Sequence, residues 1–292
     1  KKEFNLGLDY SFLNDRISGS IDYYVRTTDD LIWNYKVSVP PYVSSNIEAN
    51  AGSIRNNGLE VSVNVVPVQT KDFTWNANVN FSTNKSKLLS LSNDKYLSGN
   101  YIDGTVFNAT THRLEVGKPL GNFYGWKSVG IDEKGGWLIE GEDGKVKSFA
   151  DALASDRQVI GNALPKYYLN FNNSFRYKWF DLNVTMRGAF NFQVYNMVKK
   201  DMGVPGALGS GNVLTSTFDP KMDNRNLAYD QPDGFVSYYV EDADFWKIDN
   251  ITLGYTPNLS GVKWIKKLRL YASVSNLATF TGLETLAYRR SF

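Results

Sequence analysis

The chain has 292 residues, with 32 Lys and Arg against 30 Asp and Glu, for a formal net charge of +2. A balance this close forces neither nucleic acid nor an acidic partner, and the length allows a large core or two ordinary domains. There is no Cys, which excludes thiol catalysis, disulfides and cysteine metal sites. No apolar run approaches the roughly 18 residues of a membrane-crossing helix. Lys1 is preceded by no signal peptide, lipid-anchor motif or initiating Met, and the chain opens on a strand already under way; a mature protein or a piece of one is expected.

Alternation with a period of two runs along most of the chain, and a period of two predicts β-strands with one apolar and one polar face. Phe4, Leu6, Leu8 and Tyr10 alternate with Asn5, Gly7, Asp9 and Ser11. A short turn leads to Ile17, Gly19, Ile21, Tyr23 and Val25, set between Arg16, Ser18, Ser20, Asp22 and Tyr24. Leu59, Val61, Val63 and Val65 follow, and then the unbroken run FTWNANVNFS at 73–82. Leu169, Phe171, Phe175 and Tyr177 precede the tight KW turn, and Phe180, Leu182, Val184, Met186 and Phe190 follow it. Ile251, Leu253 and Tyr255 close one strand, and Leu268, Leu270, Ala272 and Val274 open the next. The phase slips near Asp249 and Asn250, which predicts a β-bulge.

The apolar positions carry no Asp, Glu, Lys or Arg, whereas the alternate ones carry Asp9, Arg16, Asp22, Glu60, Arg176, Asp181, Arg187 and Arg269 among Asn, Ser and Thr. An Arg or Lys facing lipid at the bilayer midplane costs about 2–4 kcal/mol, so a lipid-facing surface is kept clear of charge. A soluble sheet would show the same clean face toward its core. Connection lengths separate the two. Short connections at 12–15, 67–72 and 178–179 alternate with long ones at roughly 27–56, 83–118 and 192–243. Membrane barrels have this asymmetry, and soluble domains rarely carry several loops of this size. Aromatics gather near strand ends, as interfacial girdles do. The pattern therefore favours an antiparallel transmembrane barrel over a soluble β protein. Between 119 and 166 it leaves two options, two further strands or a region wholly outside the membrane.

Side chains able to do chemistry are few. His112 is the only histidine, in NATTHRLE with no nucleophile motif, and reads as a solvated loop residue. Zinc lacks ligands. Glu241 with Asp244 is one of many carboxylate pairs that a glycosidase could use and that solvated loops also carry. GALGSGN, 206–212, lacks the Lys-Ser/Thr and helix of a phosphate loop. No enzyme activity, metal or cofactor is expected. Trp33, Tyr35, Tyr42, Tyr101, Phe107, Trp137, Tyr229, Tyr238 and Tyr239 lie in or beside the long loops. Their flat faces suit sugar rings or peptide side chains, and equally loop-on-loop packing.

Five stretches in order carry a family resemblance: NNGLEVSV with FTWNANVNFSTNKSKLLSLS, EVGKPLGNFYGWKSVGI, IGNALPKYYLNFNNSFRYKWFDLNVTMRGAFNFQVYN, DADFWKIDNITLGYTPN, and LRLYASVSNLATFTGLE. Together they resemble the SusC/RagA-like TonB-dependent outer-membrane transporters over nearly the whole chain. That resemblance implies a 22-stranded barrel, of which residues 1–292 would form a C-terminal segment of about ten strands. The plug, TonB-box segment and N-terminal strands would lie outside this chain, and RRSF would open a final strand. GEDGKVKSFADALASD keeps only a trace of the family's Asp-rich loop, so no calcium is expected there. The resemblance further implies TonB-driven import of an oligosaccharide or peptide across the Gram-negative outer membrane. It implies a SusD-like surface lipoprotein as partner, and dimers of such pairs are compatible with it. Arg16, Asp22, Glu60, Arg176 and Arg187 would face the lumen and fix the plug. A soluble or surface β-rich carbohydrate-binding module and a passive porin are the alternatives.

Overall fold

The computed structural model describes residues 1–50, 52–91, 96–99, 110–209, 211–218, 234–259, 261, 264–265 and 267–283. The first strands are β1 (Lys2–Phe12), β2 (Ile17–Thr28), β3 (Ile32–Lys36), β4 (Asn46–Asn50), β5 (Ser53–Gln69) and β6 (Phe73–Ser90). Short strands follow: β7 (Tyr96–Gly99), β8 (His112–Glu115), β9 (Asn122–Gly125), β10 (Ser128–Ile131), β11 (Trp137–Glu140), β12 (Val146–Ser148) and β13 (Gln158–Asn162). Then come β14 (Tyr167–Tyr177), β15 (Phe180–Phe190), β16 (Gln193–Tyr195), the helix α1 (Met197–Met202), β17 (Val240–Asp242), β18 (Phe245–Tyr255) and β19 (Leu270–Thr281).

Eight long strands make one antiparallel sheet in the order β1-β2-β5-β6-β14-β15-β18-β19. Register lines up the apolar positions of neighbours: Leu8 with Ile21, Ile21 with Val61, Val61 with Phe81, and Phe81 with Leu169. Lower rows join Trp75 to Phe175, Phe175 to Leu182 and Leu182 to Leu253. The side-chain period of two thus gives the whole sheet one apolar face. Among the described residues nothing covers that face. Leu8 is 62% exposed, Phe4 59%, Leu253 51% and Val274 51%, and Trp75, Val79 and Leu182 are partly exposed rather than sealed in a core. A water-soluble sandwich would bury these rows against a second sheet. Along β6 the apolar rows run over residues 73–83, about 33 Å of strand. At the usual tilt this stands about 25 Å high, the height of the apolar band on an outer-membrane barrel.

Asn173 is the one amide among the apolar rows of β14. It is 7% exposed, and its side-chain oxygen accepts a 3.1 Å hydrogen bond from Trp75 Nε1. The indole thereby satisfies a polar group on a face where water is scarce. A bulge lies close by in β5, where register shifts between Val65 and Val68. The predicted slip at Asp249 is also a bulge, with shifts in the pairing to both neighbours of β18.

Tight connections at 13–16, 70–72 and 178–179 lie at one end of the wall, and the left-handed backbone of Leu13, Asn14, Asp15 and Lys178 closes two of them. The connection 256–269 at that end is longer, a departure from the short set. Connections at the opposite end carry everything else. Residues 119–166 contribute no wall strand, because β6 pairs directly with β14. The wall therefore has eight strands among the described residues, where the reading from sequence counts about ten. Its strands also run further than their alternation reaches. β5 begins at Ser53 and β6 ends at Ser90, inside stretches predicted as loop. The outward side chains there become Arg55, Lys85 and Lys87, which hides the period while the backbone ladder continues.

At this end β13-β9-β8-β7, β10-β11-β12 and β16-β17 form small sheets, and β3-β4 a separate hairpin. We call the three small sheets with α1 the cap. Its core holds Phe123, Trp137, Ile139, Tyr195, Val204, Phe235, Val236 and Tyr239, the main buried apolar cluster of the described residues. Main-chain bonds hang the cap from the upper part of β6: Gly117 N to Leu88 O at 2.8 Å, Leu88 N to Lys118 O at 3.2 Å and Leu120 N to Ser86 O at 3.3 Å.

Candidate functional site

The face opposite the apolar rows is polar and largely uncharged at mid-height. Asn64, Asn78 and Asn172 stand side by side on β5, β6 and β14, with Thr185 and Asn250 beyond them. Asn78 donates to Asn64 Oδ1 at 2.7 Å, and Asn80 donates to Asn78 Oδ1 at 2.6 Å. Asn250 donates to Ser273 at 2.9 Å and accepts from Thr252 at 2.8 Å. Each amide carries both a donor and an acceptor, so such a ladder satisfies itself without charge. Asn64, Asn76, Asn78, Asn172, Asn183 and Thr185 line a shallow groove here.

Charges flank this belt. Asp22 and Glu60 are directly opposed on β2 and β5, both exposed, in a groove with Ser20, Ser62, Asn80 and Ser82. Arg187 pairs with Asp249 at 2.6 Å, and Lys247 lies 3.5 Å from the same carboxylate. Arg176 stands opposite Asp181, which accepts from Arg269 Nε at 3.2 Å and Nη2 at 2.6 Å. Four of the five residues predicted to face a lumen therefore share the polar face, spread over several rows. Arg16 is the exception: it sits in the tight turn, exposed, and its carbonyl accepts from Val66 N at 2.8 Å.

The cap is an aromatic cluster closed by ion pairs. Tyr195 stacks on Phe235 at 4.3 Å, and Trp137 packs against Tyr238 at 5.0 Å and Tyr239 at 5.8 Å. Two main-chain bonds, Trp126 N to Phe235 O and Ser237 N to Trp126 O, join the segment after β9 to that before β17. Asp156 is 2% exposed and accepts from Lys147 Nζ at 2.8 Å, Leu153 N at 2.7 Å and Glu142 N at 3.0 Å. The Lys147 ammonium and these backbone donors hold its carboxyl down at about 2, and the same pairing raises the Lys147 pKa. Arg157 donates to Thr110 Oγ1 and to the carbonyls of Thr110 and Tyr124, and burial lowers its pKa. Its guanidinium and that of Arg113 both lie over the Tyr124 ring, at 5.0 and 4.0 Å. Lys199 meets Glu241 at 3.1 Å, tying α1 to β17.

These contacts revise several expectations. Trp137 is 3% exposed and Tyr239 4%; both are core residues and offer no free ring face. Tyr238 is half-buried beside them, with Lys199 Nζ 4.7 Å above its ring. Tyr42 is 47% exposed near the tip of the β3-β4 hairpin, and Trp33 and Tyr35 lie on β3. Tyr101, Phe107 and Tyr229 lie outside the described residues. His112 is a strand residue, half-buried against Phe123 at 5.0 Å, and burial lowers its pKa. Glu241 is engaged with Lys199, and Asp244 accepts from Asn191 N at 2.7 Å. Both carboxylates serve structure. The Lys147–Asp156 lock and the arginines around Tyr124 have no local signal in the sequence, because each joins segments with no common period.

No family model matches the chain. By sequence it is 30% identical over 296 residues to the TonB-dependent receptor P3 of Formosa agariphila, covering 96% of this chain and 29% of the relative. It is 30% identical over 298 residues to the TonB-dependent receptor SusC of Bacteroides thetaiotaomicron, covering 96% and 29%. The chain thus spans under a third of the length of these curated relatives. Among solved structures, the RagAB peptide importer in its open-open state matches with a TM-score of 0.79 at 24% identity, over 96% of this chain and 31% of that one. The RagAB peptide transporter matches at 0.77 and 23%, over 96% and 32%. Sheet, exposed apolar face and long connections at one end define a segment of an outer-membrane β-barrel wall. Within that class the chain is similar in sequence to the TonB-dependent receptors P3 and SusC and in fold to RagAB.

Proposed function

We propose that this chain is the C-terminal part of the barrel of a transporter that imports a large nutrient, an oligosaccharide or a peptide, using energy from TonB. The observation that carries this reading is the pairing of an uncovered apolar face with a self-satisfied polar face across eight strands. In lipid, a closed wall of this kind is one of only two ways for backbone to cross a membrane. Strands from the rest of the protein would pair with the free edges of β1 and β19. The polar face would line the bore, where Asp22, Glu60, Arg176 and Arg187 meet a plug domain. The cap end would receive a SusD-like lipoprotein, with the exposed ring of Tyr42 available to substrate. The wall itself makes and breaks no bond.

Uptake assays on cells test this. Growth on the candidate oligosaccharide or peptide should be lost when either the full-length receptor or TonB is deleted. Growth that needs the receptor but not TonB would show a passive pore instead. Mass spectrometry of what co-purifies with the detergent-extracted complex should find a surface lipoprotein and name the substrate class.

A further inference from the structure

Above its apolar band the outward face of the wall changes character. On β5 and β6 the ladder continues in unbroken register from Val61–Phe81 through Leu59–Thr83 to Asn57–Lys85 and Arg55–Lys87. The Arg55 row extends to Thr27 on β2 and Lys2 on β1. Lys2, Arg55, Lys85 and Lys87 are all exposed, and register puts them on the same face as Leu8, Val61 and Phe81. Every other charged residue of the eight strands falls on the polar face or at the Asp249 bulge. The outward charges are therefore all cations, all at the cap end. Among the described residues none of the four has a carboxylate partner.

Arg55 and Lys87 are directly opposed, an arrangement that brings Cβ atoms to about 4.5–5.5 Å and is unfavourable between like charges. Glu3, next to Lys2, and Glu60, five residues along β5 from Arg55, are the carboxylates on these strands nearest the cluster, and both point to the other face. What would neutralise the cluster has to come from outside the sheet. Its height states what that is. On β5 and β6 the cations begin one row above Leu59–Thr83, while the Lys85 row still carries Phe4 and Val25 on β1 and β2; the cluster thus lies at the edge of the apolar band, where headgroups meet the wall on the cap side. An Arg fork and two ammonium groups suit phosphate monoesters, whose oxygens accept several charge-assisted bonds at once.

We propose that Arg55, Lys85 and Lys87, with Lys2 at the end of the row, form a site on the lipid-facing wall for a phosphorylated saccharolipid of the outer leaflet. It rests on the wall spanning the outer membrane with its cap outward, and not on what is imported. The test uses the full-length receptor in nanodiscs, with binding of bis-phosphorylated lipid A compared with its dephosphorylated form and with phosphatidylglycerol. A cation near an anionic lipid surface contributes about five-fold in affinity. Phosphorylated lipid A should bind roughly a hundred-fold tighter than the dephosphorylated form, and R55Q/K85Q/K87Q should abolish that preference. Lys145→Gln, a change on an exposed cap turn, should leave it intact. Heat-modifiable migration on gels reports folding; were the triple variant to misfold, Lys87→Gln alone should show about a five-fold loss. Equal binding of the two lipid A forms, an unchanged preference in the variants, a preference for phosphatidylglycerol, or full competition by inorganic phosphate would each overturn the proposal.

Discussion

Asp156 shows how one side chain can hold an irregular region together. Two main-chain N–H groups and the Lys147 ammonium converge on a carboxylate that is 2% exposed. Its pKa is held at about 2, against an ordinary value of 3.8. A depressed carboxylate contributes stability in full above its unfolded pKa and loses it as pH falls through the folded one. The Asp156 contacts should therefore be indifferent to pH from neutrality down to about 4 and loosen between about 4 and 2, below the range in which charging of the half-buried His112 weighs on β8. Hydrogen exchange at the amides of Glu142 and Leu153, corrected for the intrinsic rate, should rise in that window. Asp156→Asn should exchange fast at these two amides at pH 7 as well, with the pH step gone. A step that survives in the variant would assign it to another group.

At the scale of the strand, the two faces of β15 make opposite demands. Leu182 sits in a row with Phe175 and Leu253, and its neighbour Asn183 in a row with Ser174 and Thr252. Leu182→Arg, one row in from the tight-turn edge of the apolar band, should cost the assembled full-length barrel about 1–3 kcal/mol, and Asn183→Arg little. Comparison of barrel yield in outer-membrane pellets measures the difference. Equal tolerance of the two would mean that the outward face does not meet hydrocarbon. This face is also what the sequence made legible, since Leu182, Val184 and Met186 alternate with Asn183, Thr185 and Arg187 without a break. The bulge at Asp249 was equally readable, because one extra residue moves every later side chain to the other face. Asn173 was not: an amide at an apolar position becomes intelligible only when Trp75 is found beside it. Nor were the upper ends of β5 and β6, where charge takes over the outward positions.

The whole molecule joins a regular wall to an irregular cap, and only the first could be read in advance. Trp137 and Phe235 belong to one core but come from distant segments, and nothing periodic links them. Trp137 in isolation has the look of an exposed loop aromatic for that reason. The absence of Cys makes the arrangement open to direct measurement, because any introduced thiol in this chain is unique. A Cys replacing Val43, which is 103% exposed on the β3-β4 hairpin, should react with a membrane-impermeant maleimide on intact cells. A Cys replacing Asn14 in the tight turn should react only after lysis, and the reverse result would invert the wall. The abrupt border between Phe81 and Lys85 carries one more consequence. Sliding the barrel along the membrane normal by more than two rows would either wet Phe81 or drag the Lys85 ammonium among acyl chains. Its depth is therefore fixed to within about 10 Å, the rise of four tilted residues. A bilayer of another thickness must bend to meet the protein, since the protein has little freedom to ride higher or lower in it.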